Sequence, residues 1–383
     1  MKILWINEKA EFVGGCESFV ANTAALLEKN GTENILLYSV EGWTEPRFVK
    51  NFSQSYPIVR PLRQIKEIEP DIIYLHQLTN KKFMREILQS NIPVVIFYHD
   101  HQLFCLREHK YKAITHKTCQ KPIGLRCYPC LGFVNKTDKF PYLRLRTLYS
   151  VRKQQKMQKK AQAFVVASQY MKKHLIAHGY PPSKIFVVPL YSVAHLDESL
   201  QFPQNGKLLF VGQILRGKGV GVLLQALKKL PDNITCTFCG SGDQQRKFIK
   251  MARKLGLLNR VNFVGKVESV QLEKFYREAE MVVVPSITPE TFGLVGLEAM
   301  SFAKPIVAAN VGGIGMWLQH NVNGLLFNSG DSEGLAHAIL MLHQEPELRK
   351  KMGKKGQQIL QEKFRPQQHL QKLIQLFQKL GEN

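Results

Sequence analysis

The chain has 383 residues, 44% of them hydrophobic, with 53 Lys or Arg against 30 Asp or Glu and a formal net charge of +23. That length and apolar share suit a globular protein of two domains and exclude a disordered one, and no apolar run approaches the roughly 18 residues of a membrane-spanning helix. The positive balance favours anionic partners, whether nucleic acid, phosphorylated substrates or an anionic membrane surface.

From the start, "MKILWINE" is too short an apolar stretch for a signal peptide, so a cytoplasmic protein is expected. Strand-type runs follow as "KILWI", "NILLYS", "DIIYLH", "PVVIFYHD", "AFVVAS" and "KIFVVPL", and then as "KLLFVG", "ITCTFCG", "VNFVG", "MVVVPS", "PIVAAN" and "GLLF". Amphipathic stretches such as "FVANTAALLEKNG" and "VLLQALKKL" lie between them. Fully apolar strands separated by helices imply parallel sheets covered on both faces, and the pattern occurs twice. The expected fold is α/β, with two doubly wound, Rossmann-like domains. The irregular stretch 191–206 reads as the linker. In the tail, Leu370, Leu373, Ile374, Phe377 and Leu380 share one helical face that needs a surface to cover. The expected division is 1–195 with 366–383, and 196–365.

Ligands of open α/β sheets sit beyond the carboxyl ends of the strands. The loop after the first strand holds Gly14 and Gly15. They either let backbone N–H groups approach an anion or merely shape the turn. Further on, Cys105, Cys119, Cys127 and Cys130 fall within 26 residues and end in C-x2-C, the format of a structural zinc site. His101, His109 and His116 are spare ligands, and the alternative is four thiols in a loop. Between Lys139 and Leu196 there are eleven Lys or Arg and no Asp or Glu. This run suits anionic lipid headgroups or a polyanionic saccharide, against a plain solvated helix face. Cys236 and Cys239 lie in a strand with nothing to complete a metal site, and read as core.

In "LLFVGQILRGKGVGVLL", Gly212, Arg216 and Lys218 precede a helix, a setting that suits either a diphosphate or a plain solvated loop. In "PSITPETFGLVGLEAM", Glu290 and Glu298 stand eight positions apart. At helical rise that is ~12 Å, more than the roughly 5 to 9.5 Å of a hydrolytic carboxyl pair. The spacing fits a clamp on the two ends of one elongated ligand. Gly293, Leu294 and Val295, at the helix start between the glutamates, offer free backbone N–H groups that suit a diphosphate. A ribose at one end, a sugar at the other and phosphates between describe a nucleotide sugar. A nucleic-acid-binding protein would need aromatic stacking platforms or a recognised module, and neither is found.

These segments, in this order, resemble glycosyltransferase family 4, the retaining class with the GT-B fold. "PSITPETFGLVGLEAM" is similar to its E-x7-E signature, "GGCESFV" to its N-terminal glycine loop, and "FVGQILRGKG" to its G-R-L-x-x-x-K-G donor loop. His99 and Asp100 match its sugar-contacting histidine after a strand, and "PIVAANVGGIGMWLQHNVNGLLF" its last glycine-rich turn. The resemblance implies two Rossmann-like domains facing across a cleft, the first binding the acceptor and the second the nucleotide sugar. It implies that Glu298 holds the ribose, Glu290 and His99 the transferred sugar, and Lys218 the diphosphate. Backbone N–H groups of 292–295 would bind sugar and phosphate, with base contacts around 265–267. Gly14 and Gly15 would let the first domain approach the diphosphate. No catalytic metal and no protein nucleophile are implied. Some members carry a similar cysteine-bearing insertion after the H-D pair. UDP-sugars are the favoured donors, with GDP-mannose next. The expected acceptor is a saccharide or lipid-linked saccharide of the cell envelope, with the inner face of the membrane as the expected place to meet it. The chain departs from the pattern at Gln213, where the family has arginine and Arg216 is the candidate replacement, and at Gly315 and Met316, where it has proline and glutamate. Another GT-B enzyme, such as a sugar-nucleotide epimerase, would share the plan but not the spacing of Glu290 and Glu298.

Overall fold

A computed structural model of the chain describes residues 1–39, 44–112, 118–130, 132–136, 143–193, 196 and 200–382. His116, residues 139–142 of the basic run and residues 194–195 and 197–199 of the expected linker lie outside the described residues. The chain divides into two compact units: Met1–Glu108 with Pro122–Val193 and Pro366–Asn383, and His109–Lys121 with Ala194–Arg365.

The first unit is built on β1 (Lys2–Asn7), β2 (Glu33–Tyr38), β3 (Gln54–Pro57), β4 (Ile72–Leu75) and β5 (Val94–Tyr98). A small antiparallel pair follows, β6 (Val134–Lys136) with β7 (Leu143–Leu145), and then β8 (Ala163–Val166) and β9 (Ile185–Val187). The seven-stranded sheet runs β3-β2-β1-β4-β5-β8-β9 with every pair parallel. β4, β5 and β8 are buried along their whole length, as their unbroken apolar runs require. The edge strand β3, "QSYP", gave no apolar signal because most of it is exposed.

The second unit contains β10 (Lys207–Val211), β11 (Thr235–Cys239), β12 (Val261–Gly265), β13 (Met281–Val284), β14 (Ile306–Ala309) and β15 (Gly324–Phe327). Its sheet runs β12-β11-β10-β13-β14-β15, again all parallel. Cys236 and Cys239 are buried in its core, as expected. Glu280, fully buried, is satisfied on all sides. It accepts hydrogen bonds from the N–H groups of Asn205 (2.9 Å) and Gly206 (2.7 Å), from His343 Nδ1 (2.8 Å), and an ion pair from Arg349 (3.2 Å).

Each unit is thus doubly wound, and each sheet reverses its strand order once, between β1 and β4 and between β10 and β13. Loops leaving those two strand pairs splay apart and leave a crevice for ligand. The tail helix Pro366–Gly381 completes the first unit: Phe377 sets its ring edge-on to Tyr74 at 5.1 Å, and His369 Nδ1 donates to the Pro189 carbonyl at 2.8 Å.

Candidate active site

In the second unit, the loops after β10 and β13 are locked to each other. The N–H groups of Ile287 and Thr288 both donate to the Gly217 carbonyl, at 2.8 and 2.9 Å. Gly219, with φ 76°, ends the short turn Arg216–Lys218; a Cβ there would lie 1.7 Å from the Pro285 carbonyl oxygen. Only glycine allows that approach. The approach brings Lys218 Nζ to 2.7 Å from Glu290 Oε1, and Ser286 Oγ donates to the same oxygen at 2.6 Å. The Glu290 backbone is fixed too. Its carbonyl accepts the Gly313 N–H at 2.6 Å, and a Cβ on Gly312, φ 62°, would meet that oxygen at 2.1 Å. The last glycine-rich turn therefore serves to hold Glu290. Arg216 is exposed in its turn and Gly212, φ 147°, joins β10 to it.

The helix Leu294–Ser301 starts where the sequence places it, after Gly293 at φ 93°. Its first N–H groups, from Leu294 and Val295 onward, have no partner within the helix. Phe292 has a buried side chain, and its carbonyl accepts Trp317 Nε1 at 2.7 Å. The Trp317 ring lies against Gly296, where a Cβ would come within 2.4 Å of it. Glu298 stands on the second turn. Tyr276, buried and stacked on Phe302 at 5.1 Å, donates its hydroxyl to Glu298 Oε2 at 2.7 Å. Burial pushes the Glu298 carboxyl pKa up, while the tyrosine bond pulls it down.

In the first unit, Gly14 is extended (φ −166°) and its N–H donates to Glu17 Oε2 at 3.0 Å; Gly15 opens the helix Gly15–Glu28. The helix start expected to meet an anion thus already carries a carboxylate, whose pKa burial raises. The spacing G-x-x-E carried that signal. Beyond β4 and β5, His76 Nδ1 and His99 Nε2 lie 2.7 Å apart. His76 stacks on Trp5 at 5.2 Å and His99 on Phe97 at 4.0 Å. Burial lowers both imidazole pKa values, that of His99 to about 3, so both rings are neutral at neutral pH. They line a polar cavity of about 260 Å³ together with Glu8, Thr79, Asp100 and Arg146. Glu8 accepts the Thr79 N–H and hydroxyl, each at 2.7 Å, and the Arg146 guanidinium bonds Glu108 and the Gln102 carbonyl.

Nothing in the local sequence marks His76, Tyr276 or Ser286 as partners of the site residues. Among the described residues no three His, Cys, Asp or Glu side chains form a group that could hold a metal ion. Cys105, Cys127 and Cys130 belong to the first unit and Cys119 to the second.

Residues 13–190 match the family described as Glycosyltransferase Family 4, and residues 192–359 match Glycosyl transferases group 1. Together the two matches cover most of the chain, and both are to glycosyltransferase families. This glycosyltransferase chain is 34% identical over 134 residues, 34% of each chain, to an uncharacterized glycosyltransferase of Methanocaldococcus jannaschii. It is 33% identical over 167 residues to a glycogen synthase of Mycobacterium tuberculosis, covering 42% of this chain and 40% of that one. The matches to such curated relatives span only 32% to 42% of their length. Its fold is that of Anabaena HepE, solved in complex with UDP (TM-score 0.75, 18% identity, 99% of this chain and 100% of that one). A glycosyltransferase from Rickettsia africae is as similar (TM-score 0.75, 18% identity, 100% and 99%). These likenesses give the GT-B fold.

Proposed function

We propose that the chain is a retaining glycosyltransferase. It moves a sugar from a nucleotide-diphosphate sugar, a UDP-sugar first and GDP-mannose second, to a saccharide or lipid-linked acceptor of cell-envelope polysaccharide or lipopolysaccharide. The observation that carries this reading is the Lys218–Glu290 pair at the β10/β13 reversal, beside the start of helix Leu294–Ser301. An ammonium and helix N–H groups suit a diphosphate, and a carboxylate suits sugar hydroxyls. The structures of HepE with UDP, and with UDP and glucose, support a uridine donor.

As the bond between the anomeric carbon and the diphosphate oxygen breaks, negative charge grows on the phosphate. Lys218 and the helix N–H groups stabilise it. The acceptor oxygen bonds the anomeric carbon on the face that the phosphate leaves, and its proton passes to the departing phosphate. Glu298, oriented by Tyr276, holds the ribose. His99 is neutral and offers hydrogen bonding to the sugar without a competing charge. On the first unit, Arg152, Lys153 and Lys156 are exposed on the helix Leu148–Gln158, beside Leu145 and Tyr149 at 74% and 73% exposure. Cations around apolar tips suit an anionic lipid surface, which supports a lipid-linked acceptor. No helix among the described residues is long and apolar enough to cross a membrane.

The test is a thermal-shift panel of UDP, GDP and ADP with their sugar conjugates. Stabilisation by one nucleotide and its sugar is expected, and a flat response to all of them overturns the reading.

A further inference from the structure

The segment between β5 and β6 holds two short stretches that pair with each other. Tyr111 and Thr118 form an antiparallel bridge, the Cys119 N–H donates to the Lys110 carbonyl at 2.7 Å, and Lys110 Nζ reaches the Lys121 carbonyl at 2.5 Å. This paired strap belongs to the second unit, and it is fastened onto the loops that carry Lys218 and Glu290. Thr118 Oγ1 donates to the Ile287 carbonyl at 2.9 Å. The Ile287 N–H in turn donates to the Gly217 carbonyl. Over Gly217 lies the Tyr111 ring: a Cβ on that glycine would come 3.7 Å from Tyr111 Cε1 and 2.2 Å from Thr288 Oγ1. Tyr111 is half-buried and pairs with the His109 ring at 5.3 Å.

We propose that this strap is part of the donor site. Tyr111 selects the group carried on the diphosphate, and Thr118 is a positioning residue for the loop that leads to Glu290. The inference rests on the nucleotide-sugar reading above. Gly217 precedes the phosphate-facing lysine, and Thr288 lies two residues before the sugar-facing glutamate. A ring against Gly217 therefore stands where sugar and diphosphate join. Tyrosine offers an apolar face and a hydroxyl at its tip, which suits the mixed C–H and hydroxyl faces of a pyranose. Thr118 acts through Ile287 and never needs to touch the ligand. Holding that carbonyl keeps the two loops in register, and with them Lys218 and Glu290.

Isothermal titration of the full chain with UDP, UDP-glucose, UDP-galactose and UDP-N-acetylglucosamine tests this. The variants are Tyr111→Ala, Tyr111→Phe, Thr118→Val and Thr118→Ser. Tyr111→Ala is expected to bind UDP as the parent does while the spread of affinities among the three sugars shrinks or reorders by about tenfold; Tyr111→Phe keeps most of the spread. Thr118→Val is expected to weaken the conjugates relative to UDP, and Thr118→Ser to restore them. A circular dichroism spectrum and urea midpoint matching the parent's show that each variant is folded. A parent chain that binds UDP, with Tyr111→Ala and Thr118→Val giving the parent's pattern across the sugars, overturns the strap alone. A parent chain that binds none of the UDP, GDP and ADP series overturns the nucleotide-sugar reading, and the strap with it.

Discussion

Lys218 and Glu290, 72 positions apart in the chain, meet at 2.7 Å, Nζ to Oε1. The pair joins the group expected at the phosphate to the group expected at the sugar, so the two charges proposed to grip the donor hold each other in its absence. Their side chains are 34% and 14% exposed, which leaves the ammonium the more accessible of the two.

Separate roles for the two glutamates give separate signatures. Glu290→Ala is expected to lower turnover about tenfold to a hundredfold and to change nucleotide affinity far less. Glu298→Ala is expected to weaken nucleotide binding by about tenfold or more. Steady-state kinetics with the donor found in the thermal-shift panel, and titration with its free nucleotide, read both. Equal effects on both quantities in both variants would show that the division of labour is wrong.

Two left-handed glycines separate backbone strain from loop approach. Gly256, φ 72°, has nothing within 4 Å of a built Cβ, whereas Gly219, φ 76°, has the Pro285 carbonyl at 1.7 Å. Gly256→Ala is expected to cost about 1 kcal/mol, and Gly219→Ala at least about 2 kcal/mol more, together with nucleotide binding. Urea unfolding checks the stabilities. Equal losses would mean that the two loops part without cost.

The His76–His99 contact fixes the position of a proton. His76 Nε2 is buried and has no partner among the described residues. Placing the hydrogen there would orphan an N–H, which folded proteins avoid more strictly than an unused acceptor. His76 therefore donates from Nδ1 to His99 Nε2, and His99 carries its own proton on Nδ1. Nitrogen-15 NMR of the imidazoles is expected to show His99 protonated at Nδ1 in the parent chain and in His76→Asn, which retains a donor. In His76→Phe the two tautomers are expected to mix. A proton on His99 Nε2 in the parent chain contradicts the assignment.

Buried histidines also set a pH dependence. His99 and His369 have folded pKa values of about 3 and about 4, against an ordinary 6.5, with burial the first cause in each. The unfolded chain binds these protons more tightly. Their stabilising share is therefore complete above about pH 6.5 and is lost as pH falls toward the folded values. The carboxyls of Glu17 and Glu298, raised by burial, act in the opposite sense: their share is lost as pH rises. A substitution isolates the histidine part. His369→Asn is expected to flatten the fall of the unfolding free energy, read from urea titrations between pH 7 and 5, by at most about 1.4 kcal/mol per pH unit. Matching slopes would contradict it.

The basic helix has its own test. Vesicles with anionic lipid are expected to retain the chain at low salt and release it at high salt, and vesicles of neutral lipid not to retain it. Replacing Arg152, Lys153 and Lys156 by glutamine is expected to weaken retention by about 3 kcal/mol in total. Equal retention on neutral lipid contradicts the electrostatic reading.

Both sheets were legible in the sequence because buried parallel strands are unbroken apolar runs, "IIYL" and "MVVV" among them. The start of the helix after Gly293 was legible from a strand, a polar loop and a glycine in succession. Strand order was not, since nothing local in "KILWI" says that it pairs with both "NILLY" and "IIYL". The partners of the site residues share that obscurity. Tyr276 reaches Glu298, and His76 reaches His99, only because non-consecutive segments become neighbours after folding. Glu17 was overlooked for a different reason: it takes the place at the helix start that the glycine pair suggested for a ligand. The strap was hidden because position in the chain sets it between two elements of the first unit, while its hydrogen bonds go to the second.

The tail helix has a consequence for how the protein is made. His369, Leu373 and Phe377 are buried, His369 on Phe19 and Phe377 on Tyr74 of the first unit, yet they are translated after every strand of the second. A ribosome therefore releases the second unit with its sheet complete while the first still exposes the surface that this helix will cover. For that interval the older half of the nascent chain is the less finished one, and the greater need for protection by chaperones lies there.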